Sequence, residues 1–306
     1  MAATEFKCEL SWSASRAKEF ERCRRENWYS RYGSWGWWTE KPRGEKYQAM
    51  VHKNLTSLPA FTGDVIHRAI ERWFQLRQAG SSMTAQELFE ESREMFRQGW
   101  RQSSTELWAE RPNKSTHLFE HHYKWEISAD RTNAAKDLMT RSAKYFIESA
   151  ELAPVRQSQP DSWLSVESLD TYQFLGTKVY AVPDFAYQAE EKVHIWDWKT
   201  GKPREDDIFQ LHTYALYACE RWQADPEDIV LHAAYLGEGN VQSIPVQIDK
   251  LSEAQDRMSM SIREMMDIHY DPDVDDFMAE NWQPTGAPEA CRFCRYKGMC
   301  DASPES

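Results

Sequence analysis

The sequence predicts an α/β fold: a helical region at the N-terminus, then a β-sheet region with further helices, and a cysteine-rich tail at the C-terminus. Three observations predict this fold class. The first half of the chain follows helical periodicity, alternating segments rich in β-branched and aromatic residues occupy the middle, and three of the six cysteines crowd together near the C-terminus. We find no internal repeat and no low-complexity linker.

The first predicted helix spans residues 13–32. Serines at its start can cap the exposed backbone N–H groups, and Phe20, Cys23 and Trp28 are spaced among charged residues as on an amphipathic helix. A loop rich in glycine and tryptophan follows at residues 33–38. A second helix is predicted over residues 63–78, where apolar side chains form one stripe.

Further helical patterns cover residues 85–101 and 131–150, with a polar break at 111–115. We treat residues 80–160 as a helical insertion between the N-terminal region and the sheet. After the sheet region the pattern predicts a helix over 207–222, strands over 229–236 and 241–248, and a helix over 252–268.

The sheet region begins near residue 163, and its clearest part is a predicted β-hairpin. Segments 178–187 and 192–199 both alternate, and a polar turn separates them. The hairpin places Asp184 and Asp197 near one end. By the period of two, Asp197 and Lys199 share one face of the second strand, and Trp196 and Trp198 share the other. The alternative is a surface hairpin whose Asp and Lys form an exposed ion pair.

Composition limits the classes of function. The chain has 306 residues and a net charge of -12, which argues against a basic coat that grips nucleic acid indiscriminately. Contact with DNA would need a local basic patch, a bound metal or a partner. No apolar stretch is long enough to span a bilayer and the N-terminus lacks a secretory pattern, so we expect a cytoplasmic protein without a membrane partner. In that compartment, cysteines are typically thiols or metal ligands.

Two carboxylates and a lysine at one end of a hairpin are what a metal-dependent phosphodiesterase needs. Upstream, His67 lies one helical turn before Glu71, and a neutral imidazole is a good ligand for an ion such as Mn²⁺. The alternative is a half-buried histidine satisfied by Glu71. Downstream, Gln210 and Tyr214 share a helical face and can contact phosphate or water, unless they simply belong to the core.

Cys291, Cys294 and Cys300 follow the pattern C-x-x-C-x5-C. Three closely spaced thiolates imply a metal site that needs a fourth ligand, and soft sulfur donors favour Zn²⁺ or an iron-sulfur cluster. Cys23 is one candidate for the fourth ligand, and Cys8 and Cys219 compete with it. Cys219 reads as a small core residue. Reduced thiols without a metal are the alternative.

These motifs together resemble a known family. The order Ser-x-Ser with a following Cys23, GDVIH, PDF, DWKTG, QLHTYA and C-x-x-C-x5-C is similar to the RecB-type branch of the PD-(D/E)XK nuclease superfamily. More narrowly it is similar to iron-sulfur exonucleases that include the CRISPR-associated single-strand exonuclease and AddB-type nuclease domains. The resemblance covers residues 11–80 and 163–302, and the helical stretch between them matches no family that we can name.

The resemblance implies a restriction-endonuclease-like core, which is a central mixed β-sheet flanked by helices, and it assigns a role to each motif residue. It makes His67, Asp184 and Asp197 ligands of Mg²⁺ or Mn²⁺, and Lys199 the residue that orients or activates water. Gln210 and Tyr214 complete the site, and Glu167 is a weaker acidic candidate. The ligands of a [4Fe-4S] cluster would be Cys23, Cys291, Cys294 and Cys300. Two departures, Ala181 where the family often has glycine and Cys23-Arg24-Arg25 in place of Cys-Pro-Arg, remove no ligand.

The implied organisation is one nuclease domain over residues 1–306. Within it, residues 11–60 supply the N-terminal helix, the aromatic loop and one cluster cysteine, residues 163–250 form the catalytic sheet core, and residues 283–302 carry the C-terminal cysteine motif. The implied activity is hydrolysis of DNA by an exonuclease acting on single strands or free ends, in DNA repair, CRISPR or phage-related pathways. A site-specific endonuclease, or an accessory subunit that holds DNA ends and a partner protein without cutting, are the alternatives.

DNA contact is predicted for the N-terminal region, where cations and aromatic rings are interleaved. Such a mixture suits single strands, whose bases stack on rings. Packing of the same rings around the cysteines is the competing interpretation. The residues concerned are Arg16, Arg22, Arg24, Arg25, Arg31 and Lys41 with Trp28, Tyr29, Trp35, Trp37 and Trp38.

Overall fold

A computed structural model describes residues 7–269 and 281–302, and it has the mixed α/β architecture that the sequence predicts. The strands are β1 (Ser11–Trp12), β2 (Leu55–Thr56), β3 (His117–Leu118), β4 (Trp163–Val166), β5 (Asp170–Phe174), β6 (Thr177–Ala181), β7 (Phe185–Ala189), β8 (Lys192–Lys199), β9 (Ile229–Tyr235) and β10 (Asn240–Pro245). The helices are α1 (Ala14–Arg22), α2 (Arg24–Trp28), α3 (Glu45–Lys53), α4 (Leu58–Gln78), α5 (Ala85–Ser104), α6 (Phe119–His122), α7 (Ala129–Glu148), α8 (Ala153–Gln157), α9 (Glu205–Arg221), α10 (Ile248–Asp267) and α11 (Pro288–Arg292).

The main sheet has five strands in the order β10-β9-β8-β7-β4. Strands β8 and β9 run parallel, and the other neighbouring pairs run antiparallel. A parallel pair needs a crossover connection, which α9 supplies here. Smaller sheets join β1-β6-β5 and β2-β3. The mixed sheet therefore has β8 at its centre.

Strand β8 is buried on both faces. Val193 and Ile195 pack in a core that includes residues of α1, α9 and α10. Trp196 and Trp198 pack on the other face with residues of α4, α5 and α7. Burying each of these large side chains stabilises the fold by roughly 1.5–3 kcal/mol. The strand that ends in Asp197-Trp198-Lys199 is thus fixed from two sides.

The prediction of one continuous helix over residues 13–32 is wrong at Cys23. Helix α1 begins after Ser13, whose hydroxyl accepts a hydrogen bond from the Arg16 N–H, and it ends at Arg22. Cys23 itself is extended, with φ -163° and ψ 113°, before α2 and a π-helical turn at Tyr29–Gly33. The apolar spacing continues in phase across the break, so periodicity alone does not reveal it.

The predicted strand over residues 178–187 is two strands in different sheets. Strand β6 ends at Ala181 and pairs with β1 and β5, while β7 begins at Phe185 and pairs with β8. Pro183 lies between them and has no N–H to donate to a ladder. The hairpin with β8 is present, with Ala186 opposite Ile195. Asp184 therefore lies in the irregular segment just before β7.

Several helix bounds differ from the predicted ones. Helix α4 begins at Leu58 instead of residue 63, because Ser57 caps it and Pro59 fits its first turn. Helix α10 begins at Ile248, which shortens the preceding strand to Pro245. Helix α3 and the two-residue strands carry no periodic signal and are not predicted.

Helices α5 and α7 share one hydrophobic core with α4 and with the Trp196 face of β8. The division of residues 1–306 into an N-terminal region, a helical insertion, a sheet core and a cysteine motif stays a prediction. Within the described ranges, no helix combines the length and the apolar character needed to cross a membrane.

Candidate active site

Asp197 and Lys199 lie at the carboxyl end of β8 and face the same side of the strand. The Lys199 Nζ lies 2.6 Å from Asp197 Oδ2 and donates a hydrogen bond of 2.7 Å to Gln210 Oε1. The side chain of Asp197 is only 4% exposed, so this is not the exposed surface ion pair of the alternative interpretation.

Gln210 and Tyr214 lie one turn apart on α9, which follows the turn after β8. Gln210 Nε2 donates to Tyr214 Oη over 2.8 Å. Lys199, Gln210 and Tyr214 are therefore connected by a series of hydrogen bonds that begins at the strand and ends in the core. Burial, together with the charges of Asp197 and Asp184, raises the pKa of Tyr214 well above its ordinary value. Its hydroxyl stays protonated and fixes the orientation of the amide.

His67, Asp184 and Glu167 form a second group, contributed by α4 and by the segments before β7 and after β4. His67 Nδ1 lies 3.4 Å from Asp184 Oδ1 and 3.5 Å from Glu167 Oε1. One donor atom from each residue lies within 4.8 Å of the other two, which is close enough for a shared metal ion. The other oxygen, Asp184 Oδ2, accepts a hydrogen bond from the Trp198 N–H. This bond ties the two groups together.

Glu167 is held in place by the backbone. Its N–H donates to the Asp184 carbonyl over 3.1 Å, and its own φ of 47° lies in the left-handed region. A non-glycine residue in that region is uncommon and is concentrated at functional sites. Glu167 was the weakest candidate in the sequence, because no periodic signal places it near Asp184.

The charges in this group are strongly coupled. Burial alone would lower the pKa of His67, but the carboxylates of Asp184 and Glu167 outweigh it and raise that pKa well above its ordinary value. Burial, and next the charge of Asp184, raises the pKa of Asp197 against the opposing effect of Lys199. Burial would likewise lower the pKa of Lys199, but Asp197 raises it. Several carboxylates concentrated at one place are the environment in which a divalent cation is stabilised.

A glycine sets how closely α4 approaches the end of β8. A Cβ at Gly63 would lie 3.0 Å from Thr200 Oγ1, a contact tighter than ordinary packing allows. His67 follows one turn later on the same helix. Glu71, which the sequence offered as its partner, accepts instead from Gln75 Nε2 over 3.2 Å. His67 therefore meets the carboxylates across the site.

His67, Glu167 and Lys199 of these groups line a cleft of about 830 Å³ that contains both cations and carboxylates. Cations flank the motifs themselves, immediately after His67 and after the turn that follows Lys199, and the motif patterns alone did not indicate them. The basic residues lining the cleft are Arg22, Arg68, Lys199, Lys202 and Arg204. Asp64, Glu71, Glu167 and Asp207 also line it. In a chain with a net charge of -12, five cations thus lie beside four carboxylates at this cleft.

The four cysteines at residues 23, 291, 294 and 300 line one cavity, together with Tyr29, Tyr296 and neighbouring residues of both chain ends. All six cysteines are free thiols. Burial raises the pKa of Cys294 to about 12, with Glu26 and Cys23 adding to the effect. Burial also raises the pKa of Cys291 and of Cys300. Thiols crowded in this way become thiolates when a cation compensates their charge, so the donor set fits a metal centre.

Four thiolates are the donor set of structural zinc sites and of iron-sulfur clusters alike.

The C-terminal tail is fastened to the N-terminal helices around this cavity. Arg25 Nε donates to the Trp282 carbonyl over 2.7 Å, and Tyr29 Oη donates to the Met299 carbonyl over 3.2 Å. The rings of Tyr29 and Tyr296 stack with centroids 5.1 Å apart. Tyr29 thus packs beside the cysteines, whereas Trp38 is 49% exposed.

Comparison with known proteins agrees with this geometry. A family model described as the PD-(D/E)XK nuclease superfamily matches residues 11–301. Among solved structures, the crystal structure of SSO0001 is similar, with 17% sequence identity, a TM-score of 0.30, and coverage of 60% of this chain and 79% of that chain. No curated protein matches the chain. The family match spans the cleft residues and all four cysteines of the cavity.

Proposed function

The chain belongs to the PD-(D/E)XK nuclease superfamily, and from that premise we propose that it is an exonuclease of the RecB-type branch that cuts single-stranded DNA or DNA ends. The superfamily consists of metal-dependent nucleases, so a divalent ion and DNA follow from membership. The observation that carries the proposal for this chain is the convergence of Asp184, the Asp197–Lys199 pair of β8 and His67 of α4 at one site.

In the proposed mechanism, Asp184, Asp197 and His67 would hold the ion, with Glu167 as a further acidic ligand. A bound Mg²⁺ or Mn²⁺ supplies charge that polarises the scissile phosphate and lowers the pKa of water. The ammonium of Lys199 orients the attacking water and stabilises negative charge on phosphate. Gln210 fixes the Lys199 side chain, and the Tyr214 hydroxyl fixes Gln210. The donors are therefore oriented before substrate arrives, which is the arrangement that lowers a barrier most.

We further propose that Cys23, Cys291, Cys294 and Cys300 hold a [4Fe-4S] cluster with a structural role. Its supports are the shared cavity and the four soft donors. The cluster would cross-link the two chain ends and couple metal binding to folding. Broad visible absorbance with iron in the purified protein supports this assignment, and a colourless protein with stoichiometric zinc contradicts it.

The nuclease assignment is tested with Lys199→Ala. We expect cleavage of labelled linear DNA in Mg²⁺ or Mn²⁺ to fall by about 10²–10⁴-fold, because the variant removes an oriented donor from the reacting phosphate. Lys192→Ala is the matched control, since Lys192 is the exposed first residue of the same strand. Retention of cleavage by purified, folded Lys199→Ala would refute the assigned role.

The same digestion separates the alternative functions. An exonuclease degrades linear strands and spares circular or end-blocked ones, whereas a site-specific endonuclease cuts circles. An accessory subunit binds ends and cuts neither substrate under any metal. The complete set of Asp184, Asp197 and Lys199 favours cutting over holding, because a subunit that only holds DNA has no need of this buried ion pair.

A further inference from the structure

A second cavity, of about 340 Å³, lies beside the cleft and is lined mainly by cations. We call it the basic pocket. Its charged lining residues are Arg16, Lys18, Arg22, Arg31, Lys53 and Arg295, with Glu19 as the acidic one. They come from α1, the π-helical turn, α3 and the C-terminal tail, so the fold assembles the pocket from distant parts of the sequence.

Three of these cations are only partly compensated. Arg16 Nη1 and Arg31 Nη2 both donate to the same neutral atom, Ser11 Oγ, which cannot neutralise two guanidinium groups. None of the ion pairs found among the described residues involves Arg16, Arg31 or Lys53. The charge of Glu19 acts favourably on Arg16 and on Lys53, but one carboxylate cannot balance all the cations of the lining. The pocket therefore keeps an excess of positive charge.

The cations also disfavour one another. Burial and the charge of Arg31 lower the pKa of Arg16 to about 10. Desolvation, with the charges of Arg31 and Arg16, lowers the pKa of Lys53. Like charges held together in this way raise the free energy of the unliganded protein, and a bound anion would relieve that cost.

The connection between the basic pocket and the cleft indicates which anion the pocket binds. Arg22 lines both the basic pocket and the cleft, and Glu26 holds its guanidinium in place through Nε over 2.9 Å. A strand whose scissile phosphate lies beside Lys199 can thus pass Arg22 and bring further phosphates to the pocket. A small free anion would need only two or three of these cations.

We propose that the basic pocket binds the sugar–phosphate backbone of the same single strand that the cleft cuts, several nucleotides away from the scissile phosphate. This inference rests on the proposed function. It makes the N-terminal region a backbone-binding element as well as a support for the cysteine cavity, and it gives the enzyme a reason to prefer strands longer than a few nucleotides.

The test measures binding without cleavage. Fluorescence anisotropy of a labelled 15-nucleotide single strand is recorded in chelator at several salt concentrations. For Lys53→Gln we expect affinity to fall about fivefold at 0.1 M salt and the slope of log affinity against log salt to decrease by about 0.7, because one phosphate contact is lost. The double variant Arg31→Gln/Lys53→Gln should lose about twice that slope. Glu19→Gln should bind more tightly, since it removes the carboxylate of the pocket.

Lys250→Gln is the matched control, because it makes the same change of charge on α10, where Lys250 pairs with Glu253 and lies outside both cavities. Thermal melting confirms that each variant is folded, and Lys53→Gln serves alone if Arg31→Gln is not. Unchanged affinity and slope in folded Lys53→Gln overturn the proposal.

Cleavage of a dinucleotide and of the 15-nucleotide strand separates this proposal from the proposed function. Lys53→Gln should raise KM for the long strand only, leaving kcat and the dinucleotide unaffected. If the parent protein cuts neither substrate, the nuclease proposal fails while the binding experiment still decides the pocket. If the parent cuts both and Lys53→Gln behaves like Lys250→Gln, the pocket proposal fails alone.

Discussion

Asp184 shows how one carboxylate serves two purposes at this site. Its Oδ2 accepts the Trp198 N–H, which fixes it to β8, and its Oδ1 faces His67 at 3.4 Å. Because the two oxygens have different partners, the carboxylate cannot rotate without losing one of them. The Asp184 side chain, although it lies in the irregular segment after Pro183, is therefore held as firmly as one within a strand.

Tyr214 is the residue that most cleanly separates positioning from direct catalysis. Tyr214→Phe removes the hydroxyl that accepts from Gln210, and one hydrogen bond is worth about 0.5–1.5 kcal/mol. We expect kcat to fall about 3- to 10-fold with KM unchanged, because Lys199 loses orientation but not charge. Tyr217→Phe is the control, since its hydroxyl donates to Asp170, away from the cleft. Equal kinetics of the two variants would contradict the positioning role.

At the scale of elements, the packing of α5 against α4 depends on the absence of a side chain at Gly99. A Cβ there would lie 2.7 Å from Thr116 Oγ1 and closer still to the buried ring of Phe61. Helix propensity favours alanine by up to about 1 kcal/mol. Overpacking costs about 1–3 kcal/mol, which should outweigh the gain in helix propensity.

We therefore expect Gly99→Ala to lower the free energy of unfolding by about 1–2 kcal/mol, as measured by urea denaturation. Gln98→Ala, at the exposed neighbouring position of α5, should change it little. A more stable Gly99→Ala would show that Phe61 can move aside at little cost.

Strands β8 and β9 carry a pair of adjacent histidines, His194 half-buried and His232 buried, that should make stability depend on pH. His232 Nε2 lies 3.0 Å from His194 Nδ1, and its Nδ1 lies 2.8 Å from Ser243 Oγ. Burial, with the charge of His194, lowers the pKa of His232 to about 3. In the unfolded chain its pKa is about 6.5.

Between those values the unfolded state binds the extra proton, so stability is complete above about pH 6.5 and falls as the pH drops towards 3. At pH 5 one such histidine costs about 2 kcal/mol. The free energy of unfolding, measured by urea denaturation, should therefore decrease less between pH 8 and pH 5 in His232→Gln than in the parent, by about this amount. Parallel losses in the two proteins would mean that His232 titrates normally in the fold.

The elements also show what the sequence can and cannot predict. Strand β8 lies where alternation predicts it, and Asp197 meets Lys199 because the period of two fixes their common face. The break at Cys23 and the change of sheet after Ala181 escaped prediction, since periodicity reads the same across both. Glu167 reaches the site because its own backbone is in the left-handed region, and no local sequence pattern predicts that conformation.

At the scale of the whole molecule, the two chain ends form one unit. The tail that carries Cys291, Cys294 and Cys300 packs on the helices around Cys23 through Arg25 and Tyr29. The basic pocket draws on the same ends, since Arg16 and Arg295 both line it. The sequence predicts DNA contact through Arg16, Arg22 and Arg31, but Lys53 and Arg295 lie too far from them in the sequence for any motif to predict. Anything that releases the tail should therefore disturb the basic pocket.

Cys23→Ser tests this coupling. Replacing sulfur with oxygen removes one soft ligand, so we expect less iron per chain, weaker visible absorbance and a lower melting temperature. In the chain-entropy treatment of cross-links, a link across nearly the whole chain is worth about 5 kcal/mol, which sets the upper scale of the loss. Single-strand affinity in chelator should fall as well, because Arg295 is released with the tail. Cys219→Ser, on α9 and outside the cavity, should retain iron, melting temperature and affinity. If Cys23→Ser keeps the iron content of the parent, Cys23 is not a ligand. If Cys23→Ser loses iron but binds single strands as tightly as the parent, the cysteine cavity and the basic pocket are not coupled.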